Sequence, residues 1–252
     1  MTVRFVGAGP GAADLLTLRA AALLGEADVV LYPGTYLDEA VLSHCRDTAR
    51  LVDTQGLDLD TIVDHLVAAD GAGEDVVRLV SGDPSLYSAV AEQGRRLDEA
   101  GVGWEVVPGV PSYAAAAALV GRELTVPLVA QSVVLTRAQA RSTAMPERES
   151  LARFAATGAT LVLHLAVTRT REVMATIEPE HGADCPVVVV FRASQPGELV
   201  LRGTVGDIAD AVEGAGLRQA AVILVGRALD PRAGGPDGMG ESWLYSADRD
   251  RA

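Results

Sequence analysis

The sequence predicts an α/β protein in which mostly parallel strands are covered by helices, and three observations carry that reading. Short apolar runs alternate with stretches of helical spacing along most of the chain. Turns rich in glycine and proline follow three of the early strands. The length, 252 residues of which 49% are apolar, suffices for two domains with a core each.

Residues 3–6 read as a strand closed by Gly7, and 17–27, rich in alanine and leucine, as a helix. Residues 28–32 (D-V-V-L-Y) read as a second buried strand. The spacing of Leu59, Ile62, Val63, Leu66 and Val67 marks a helix over 59–69. Strand 75–80 precedes a helix over 86–100 that Gly101 ends, and strand 104–107 stops at Pro108-Gly109. A small-residue helix over 113–120 leads through 121–127 into a second unit. There, strands are expected at 131–135, 160–165, 187–192, 199–203 and 221–225, and helices near 150–157, 168–177 and 206–213. The expected domains are thus 1–113 and 114–229, followed by a Gly-, Pro- and charge-rich tail over 230–252. The tail reads as mobile, with Trp243-Leu244-Tyr245 as its one apolar docking segment.

Composition excludes several classes of function. All 21 basic residues are arginine, so Schiff-base chemistry on lysine and a lysine-bearing P-loop are ruled out. A net charge of −13 argues against nucleic acid or an anionic membrane as partner. No run approaches the ~20 apolar residues of a membrane span. Two well-separated cysteines, Cys45 and Cys185, give no disulfide framework, and a cytoplasmic location is expected; Cys185 reads as a small core residue. His44, His65 and His181 have no metal-ligand spacing with them, so no metal is expected. The charge is uneven. Residues 1–110 hold 18 acids and 7 arginines, a net of −11, whereas 131–205 hold 7 acids and 8 arginines, a net of +1. Groups that bind an anionic substrate are therefore expected mainly in the later part.

The stretch V-G-A-G-P-G-A-A-D-L-L-T-L-R-A, residues 6–20, loosely matches a dinucleotide-binding turn through Gly7, Gly9 and Ala12. Two details oppose that reading. Pro10 removes a backbone N–H from the turn, and the second strand ends in L-Y-P-G with no acid to hold a ribose. A second motif, V-S-G-D-P-S-L-Y over 80–87, sets Asp83 at a strand's carboxyl end, either as an acceptor for ligand or as the cap of the next helix with Pro84 in its first turn. A third, V-P-G-V-P-S over 107–112, follows the fourth strand, so three turns are expected to line one edge of the sheet.

Taken together and in order, V-G-A-G-P-G-x-x-x-L-L-T-L-R-A, S-G-D-P-S-L-Y and P-G-V-P-S resemble the tetrapyrrole methylases, class III S-adenosylmethionine-dependent methyltransferases that build cobalamin and sirohaem. The resemblance spans residues 3 to about 229. Residues 131–137 (Q-S-V-V-L-T-R) and 141–147 (R-S-T-A-M-P-E) are similar to the Q-T-V-I-L-T-R…G-R-T-P-M-P-E segment of the members that methylate precorrin-4 at C-11. Residues 193–198 (A-S-Q-P-G-E) with 202–204 (R-G-T) are similar to their A-S-W-P-D-E…R-G-T. Tyr36, Ala140 and Gln195 depart from the pattern.

The resemblance implies two α/β domains with S-adenosylmethionine folded into the cleft between them and S-adenosylhomocysteine as its product. It implies cofactor contacts at Pro10, at Ser81, Gly82, Asp83 and Leu86, at Pro111 and Ser112, and at Leu165, Ala193 and Ala221. It also implies a tetrapyrrole substrate and a homodimer. Asp83 is the one candidate for a catalytic side chain, and no general base is assigned; His164 reads as a buried, hydrogen-bonded histidine. Because the substrate class carries many carboxylate arms, Arg137 and Arg141, with Arg169, Arg171 and Arg192, are candidates to bind them, and Tyr87 and Tyr113 to line the site. Three alternatives stay open: a sister methylase or one acting on cobalt-bearing intermediates, a dinucleotide-dependent reductase, and a non-catalytic cofactor-binding module.

Overall fold

In a computed structural model of the protein, the described residues are 2–34, 37–138, 144–233, 242, 243 and 249. Arg141, Tyr36 and Ala140 lie outside them, as do 234–241, 244–248 and 250–252 of the expected tail. The chain divides into two compact units, Met1–Ala115 with Ser194–Pro196, and Ala116–Ala193 with Gly197–Ala252.

The first unit runs β1 (Thr2–Gly7), α1 (Leu18–Glu26), β2 (Val29–Tyr32), α2 (Glu39–Leu42), β3 (Arg50–Asp53), α3 (Leu59–Gly71), β4 (Val76–Val80), α4 (Val90–Glu99) and β5 (Gly103–Val107). Its five strands are all parallel, in the order β3-β2-β4-β1-β5. Burial on both faces explains the unbroken apolar runs. Val3, Phe5, Val29, Leu31 and Val76 pack with Ile62, Leu66 and Leu97 on one face, and Val6, Val30, Val77 and Leu79 pack with Ala20 and Leu24 on the other. Phe5 adds an edge-to-face contact with Trp104, ring centroids 5.8 Å apart. Strand β3 escapes the sequence pattern because R-L-V-D lies at the sheet edge, three of its four residues exposed.

Helix α4 starts later than expected. The 86–100 reading fails at its beginning because Tyr87 and Ala89 adopt left-handed backbone, φ 55° and 54°, which no helix accommodates. Asp83 and Pro84 therefore do not begin a helix; they belong to a loop over 81–89.

Helix α5 (Ser112–Val120) spans the boundary between the units. The second unit continues with β6 (Val133–Arg137), α6 (Leu151–Ala155), β7 (Thr160–His164), α7 (Thr170–His181), β8 (Pro186–Phe191), β9 (Leu199–Thr204), α8 (Ile208–Gly214) and β10 (Ala221–Val225). The order is β6-β7-β10-β8-β9. Only β6 and β7 are parallel; the pairs β7–β10, β10–β8 and β8–β9 are antiparallel. The mostly parallel, helix-covered sheet expected from the early alternation of strand and helix is the first sheet; the second is largely antiparallel. For β8 and β9 the reason is connection length. Only 192–198 separate β8 from β9, too few for the crossover of about a dozen residues that parallel neighbours need. Helices α6, α7 and α8 cover one face, where Ala155, Val173, Ile177, Ile208 and Val212 meet Leu161, Leu163, Val189 and Ile223. Cys185 is fully buried in this core, as read from the sequence.

Candidate active site

Three turns cap the carboxyl ends of the adjacent strands β4, β1 and β5, the edge at which open parallel sheets bind ligands. Backbone locks them together. The Ala8 N–H donates to the Val80 carbonyl at 2.8 Å, and Gly9 and Gly82 exchange hydrogen bonds of 3.1 and 2.8 Å. Gly7 and Gly109 touch with no room for a side chain: a Cβ on Gly7 would stand 2.5 Å from the Gly109 Cα. Gly82 is required for a different reason, its φ of 69°.

Asp83 ties the second turn to the third. Its Oδ1 accepts from the Ser85 N–H at 2.9 Å and from the Ser85 hydroxyl, and its Oδ2 accepts from the Gly109 N–H at 2.8 Å. Burial pushes the carboxyl pKa upward, but the hydrogen bonds from Ser85 and Gly109 outweigh it and hold the group below its usual range. All its described partners are donors, so the geometry is that of a fixed carboxylate rather than of a proton carrier.

The first turn is completed by a late part of the chain that sequence reasoning did not connect with it. The Gln195 amide donates to the Pro10 carbonyl at 2.7 Å, and the Ser194 hydroxyl accepts from the Ala12 N–H at 3.2 Å. The turn leads into a single 3₁₀ turn, Ala13–Leu15, rather than directly into an α-helix. Helix α1 begins only at Leu18, and the Thr17 side chain caps it through the Ala20 N–H. A dinucleotide site needs that helix end for pyrophosphate, so the reductase reading loses its structural basis. None of the turn residues 8–12, 81–89 and 108–113 is basic. Small residues, bare main chain and no cation suit a ligand that carries a sulfonium and no phosphate.

Of the residues implied by the resemblance, Pro10, Ser81, Gly82, Asp83, Leu86 and Pro111 lie on these three turns, as does Tyr87, and Ser112 and Tyr113 open α5 directly after the third. In the second unit, Leu165 follows β7, Ala193 follows β8 and Ala221 opens β10, opposite Phe191. Because β10 runs antiparallel to both neighbours, the three residues share one edge of the second sheet. Arg137 joins them at the end of β6, paired in register with His164. Burial keeps the His164 imidazole below its ordinary pKa and hence neutral at pH 7.

Strain marks both edges. Among the described residues, seven non-glycine residues have positive φ, and six of them (Tyr87, Ala89, Leu165, Arg192, Ser194 and Ala220) stand at these edges. Such backbone costs about 1–2 kcal/mol per residue and concentrates where function constrains the chain. None of the six is asparagine or aspartate, the non-glycine types that favour such backbone, so their residue types do not signal it.

The arginines separate into two groups. Arg137 and Arg169 line one cavity of ≈ 840 Å³ in the second unit, with Met145, Ser150, Glu172 and Thr176. Arg169 is held there by Glu172. Arg171 does not line it. Its guanidinium bonds Glu213 at 2.8 and 2.9 Å and Asp210 at 2.6 Å on the exposed side of α7 and α8, and those carboxylates raise its pKa. Arg171 thus already has carboxylate partners within its own unit. Arg192 stacks over the Phe191 ring at 5.6 Å.

Residues 2–209 match the family model of Tetrapyrrole (Corrin/Porphyrin) Methylases. The chain belongs to the tetrapyrrole methylase family. Among similar tetrapyrrole methylases, the precorrin-4 C(11)-methyltransferase of Rhodococcus erythropolis is 52% identical over 251 residues, covering 100% of this chain and 99% of that protein. The cobalt-precorrin-4 C(11)-methyltransferase of Methanocaldococcus jannaschii is 39% identical, covering 91% and 89%. Among solved structures, a cobalt precorrin-4 methyltransferase described as a cobalamin biosynthetic enzyme superposes with a TM-score of 0.88 at 41% identity, covering 91% of this chain and 96% of the other. The uroporphyrin-III C-methyltransferase of Thermus thermophilus, complexed with S-adenosylhomocysteine, gives a TM-score of 0.77 at 30% identity, covering 91% and 94%.

Proposed function

We propose that this tetrapyrrole methylase transfers a methyl group from S-adenosylmethionine to C-11 of precorrin-4, giving precorrin-5 in cobalamin biosynthesis. The single observation that carries the reading is the 52% identity, across the full length of both chains, to a precorrin-4 C(11)-methyltransferase. When bound, S-adenosylmethionine would supply an electrophilic methyl carried on a sulfonium, with S-adenosylhomocysteine as the leaving group.

The chain's own residues position and do little else. Pro10, Ser81, Gly82, Leu86, Pro111 and Ser112 offer main chain and small side chains to the cofactor, and Leu165, Ala193 and Ala221 are the further contacts that the family pattern suggests. Asp83 keeps two of the turns in register and takes no proton. Aligning donor and acceptor carbon can contribute up to roughly 7–11 kcal/mol to lowering the barrier, and no side chain is assigned as a general base. Arg137 and Arg141 hold carboxylate arms of the macrocycle, and Tyr87 and Tyr113 line its approach. We further place the enzyme in the cytoplasm as a homodimer, without nucleic acid as partner. No described helix is long and apolar enough to cross a membrane.

The Arg137→Ala variant is expected to raise the KM for precorrin-4 at least about tenfold, the loss of one charge-assisted pair, with the Kd for S-adenosylhomocysteine unchanged. Steady-state kinetics and calorimetry check the two halves separately. A second reading, cobalt-precorrin-4 as substrate, is favoured by the fold match to a cobalt precorrin-4 methyltransferase. Offering both substrates in competition and weighing the methylated products by mass spectrometry decides between them; precorrin-4 is expected to be consumed first. Failure to methylate either would overturn the proposal.

A further inference from the structure

Arg78 sits on β4, the central strand of the first sheet, and is only 7% exposed. Among the described acids and arginines it alone is buried. A buried guanidinium is costly unless its donors are met, and among the described residues no carboxylate pairs with this one. Instead Nε donates to Gln93 Oε1 at 3.3 Å and Nη1 donates to the Leu79 carbonyl at 2.9 Å. Burial pulls its pKa down to about 10, which leaves it charged at neutral pH.

Gln93, itself 2% exposed, passes the restraint onward. Its Nε2 donates to the carbonyls of Ser88 at 3.3 Å and Ala89 at 3.2 Å. Those carbonyls adjoin the left-handed residues Tyr87 and Ala89, and the Ser88 hydroxyl closes onto the Pro84 carbonyl. Arginine is a donor only, so it fixes which way the Gln93 amide points; a flipped amide would set NH₂ against guanidinium. The chain of bonds therefore ends on the loop that carries Ser81, Gly82, Asp83, Leu86 and Tyr87.

We propose that Arg78 and Gln93 are positioning residues for cofactor binding: a buried cation orients one amide, and that amide holds the strained end of the 81–89 loop in its binding shape. This rests on the reading of that loop as part of the S-adenosylmethionine site.

Arg78→Met and Gln93→Met keep the volume of the core while removing the bonds. In calorimetry, at a temperature where circular dichroism shows the variant folded, each is expected to weaken S-adenosylhomocysteine binding by about tenfold or more. The double variant should lose no more than the worse single one, because both changes cut the same chain. In the ligand-free protein, amide exchange over 84–90 should accelerate while β2 and α3 keep wild-type protection. Folded variants with wild-type affinity and wild-type exchange over 84–90 would overturn the proposal. If Arg78→Met does not fold, Gln93→Met decides alone. If wild-type protein fails to bind S-adenosylhomocysteine, the functional reading falls, and the exchange measurement still decides whether Arg78 and Gln93 hold the loop.

Discussion

Replacing Gly109 with alanine is expected to abolish cofactor binding and to cost the first unit at least about 3 kcal/mol of stability. A Cβ there would fall on the Gly82 carbonyl oxygen and stand 2.8 Å from the Gly7 Cα and 3.0 Å from the Gly7 carbonyl carbon. All three are backbone atoms, so no rotamer change relieves the clash. The third turn must move away from the first two, and the Gly109 N–H then leaves Asp83. Thermal denaturation and calorimetry with S-adenosylhomocysteine measure the two effects. A Gly109→Ala protein with wild-type melting temperature and affinity would show that the close approach of the three turns is not needed.

Asp83 carries the second large effect. Asp83→Ala removes the acceptor for three hydrogen bonds, leaves the Gly109 N–H without its partner, and is expected to cost about 2–3 kcal/mol with a cofactor affinity lower by about 30–100-fold. Asp83→Asn should fall between, since an amide offers one acceptor where the carboxylate offers two. The pH dependence has a definite sign. The folded-state pKa is depressed, so the contribution is complete above the ordinary carboxylate value of about 3.9 and is lost as pH falls through the lower folded value. Affinity should therefore be flat from about pH 5 to 8 as far as this group is concerned. A residue that took up a proton during turnover would instead impose a pH dependence on kcat near neutrality, and Asp83→Asn would then lose kcat without losing affinity.

Much of this site was legible in the sequence, for a physical reason. A turn that must pack backbone on backbone, or adopt positive φ, needs glycine, and Gly7, Gly82 and Gly109 therefore announce the three turns. Apolar runs buried on both faces likewise announced the three inner strands of the first sheet, β1, β2 and β4. What the sequence hid were features set by distant contacts. Edge strand β3 has no apolar pattern to read. The late start of α4 depends on Gln93 and Asp83 gripping a loop that local propensity favours as helix. The antiparallel pairing of β8 with β9 was legible in the short 192–198 connection. So was one further signal: an arginine inside V-V-R-L-V, in a strand otherwise apolar throughout, marks a buried charge with a purpose. No local pattern links Gln195 to Pro10, which lie 185 positions apart.

The most direct measurement uses S-adenosylmethionine labelled with ¹³C in its methyl group, incubated with the protein and precorrin-4, and locates the label in the product by NMR. The expected result is a single new methyl carbon bonded to C-11, formed together with S-adenosylhomocysteine. Label on another ring carbon, or no label in the macrocycle while S-adenosylhomocysteine still binds the protein, would contradict the account.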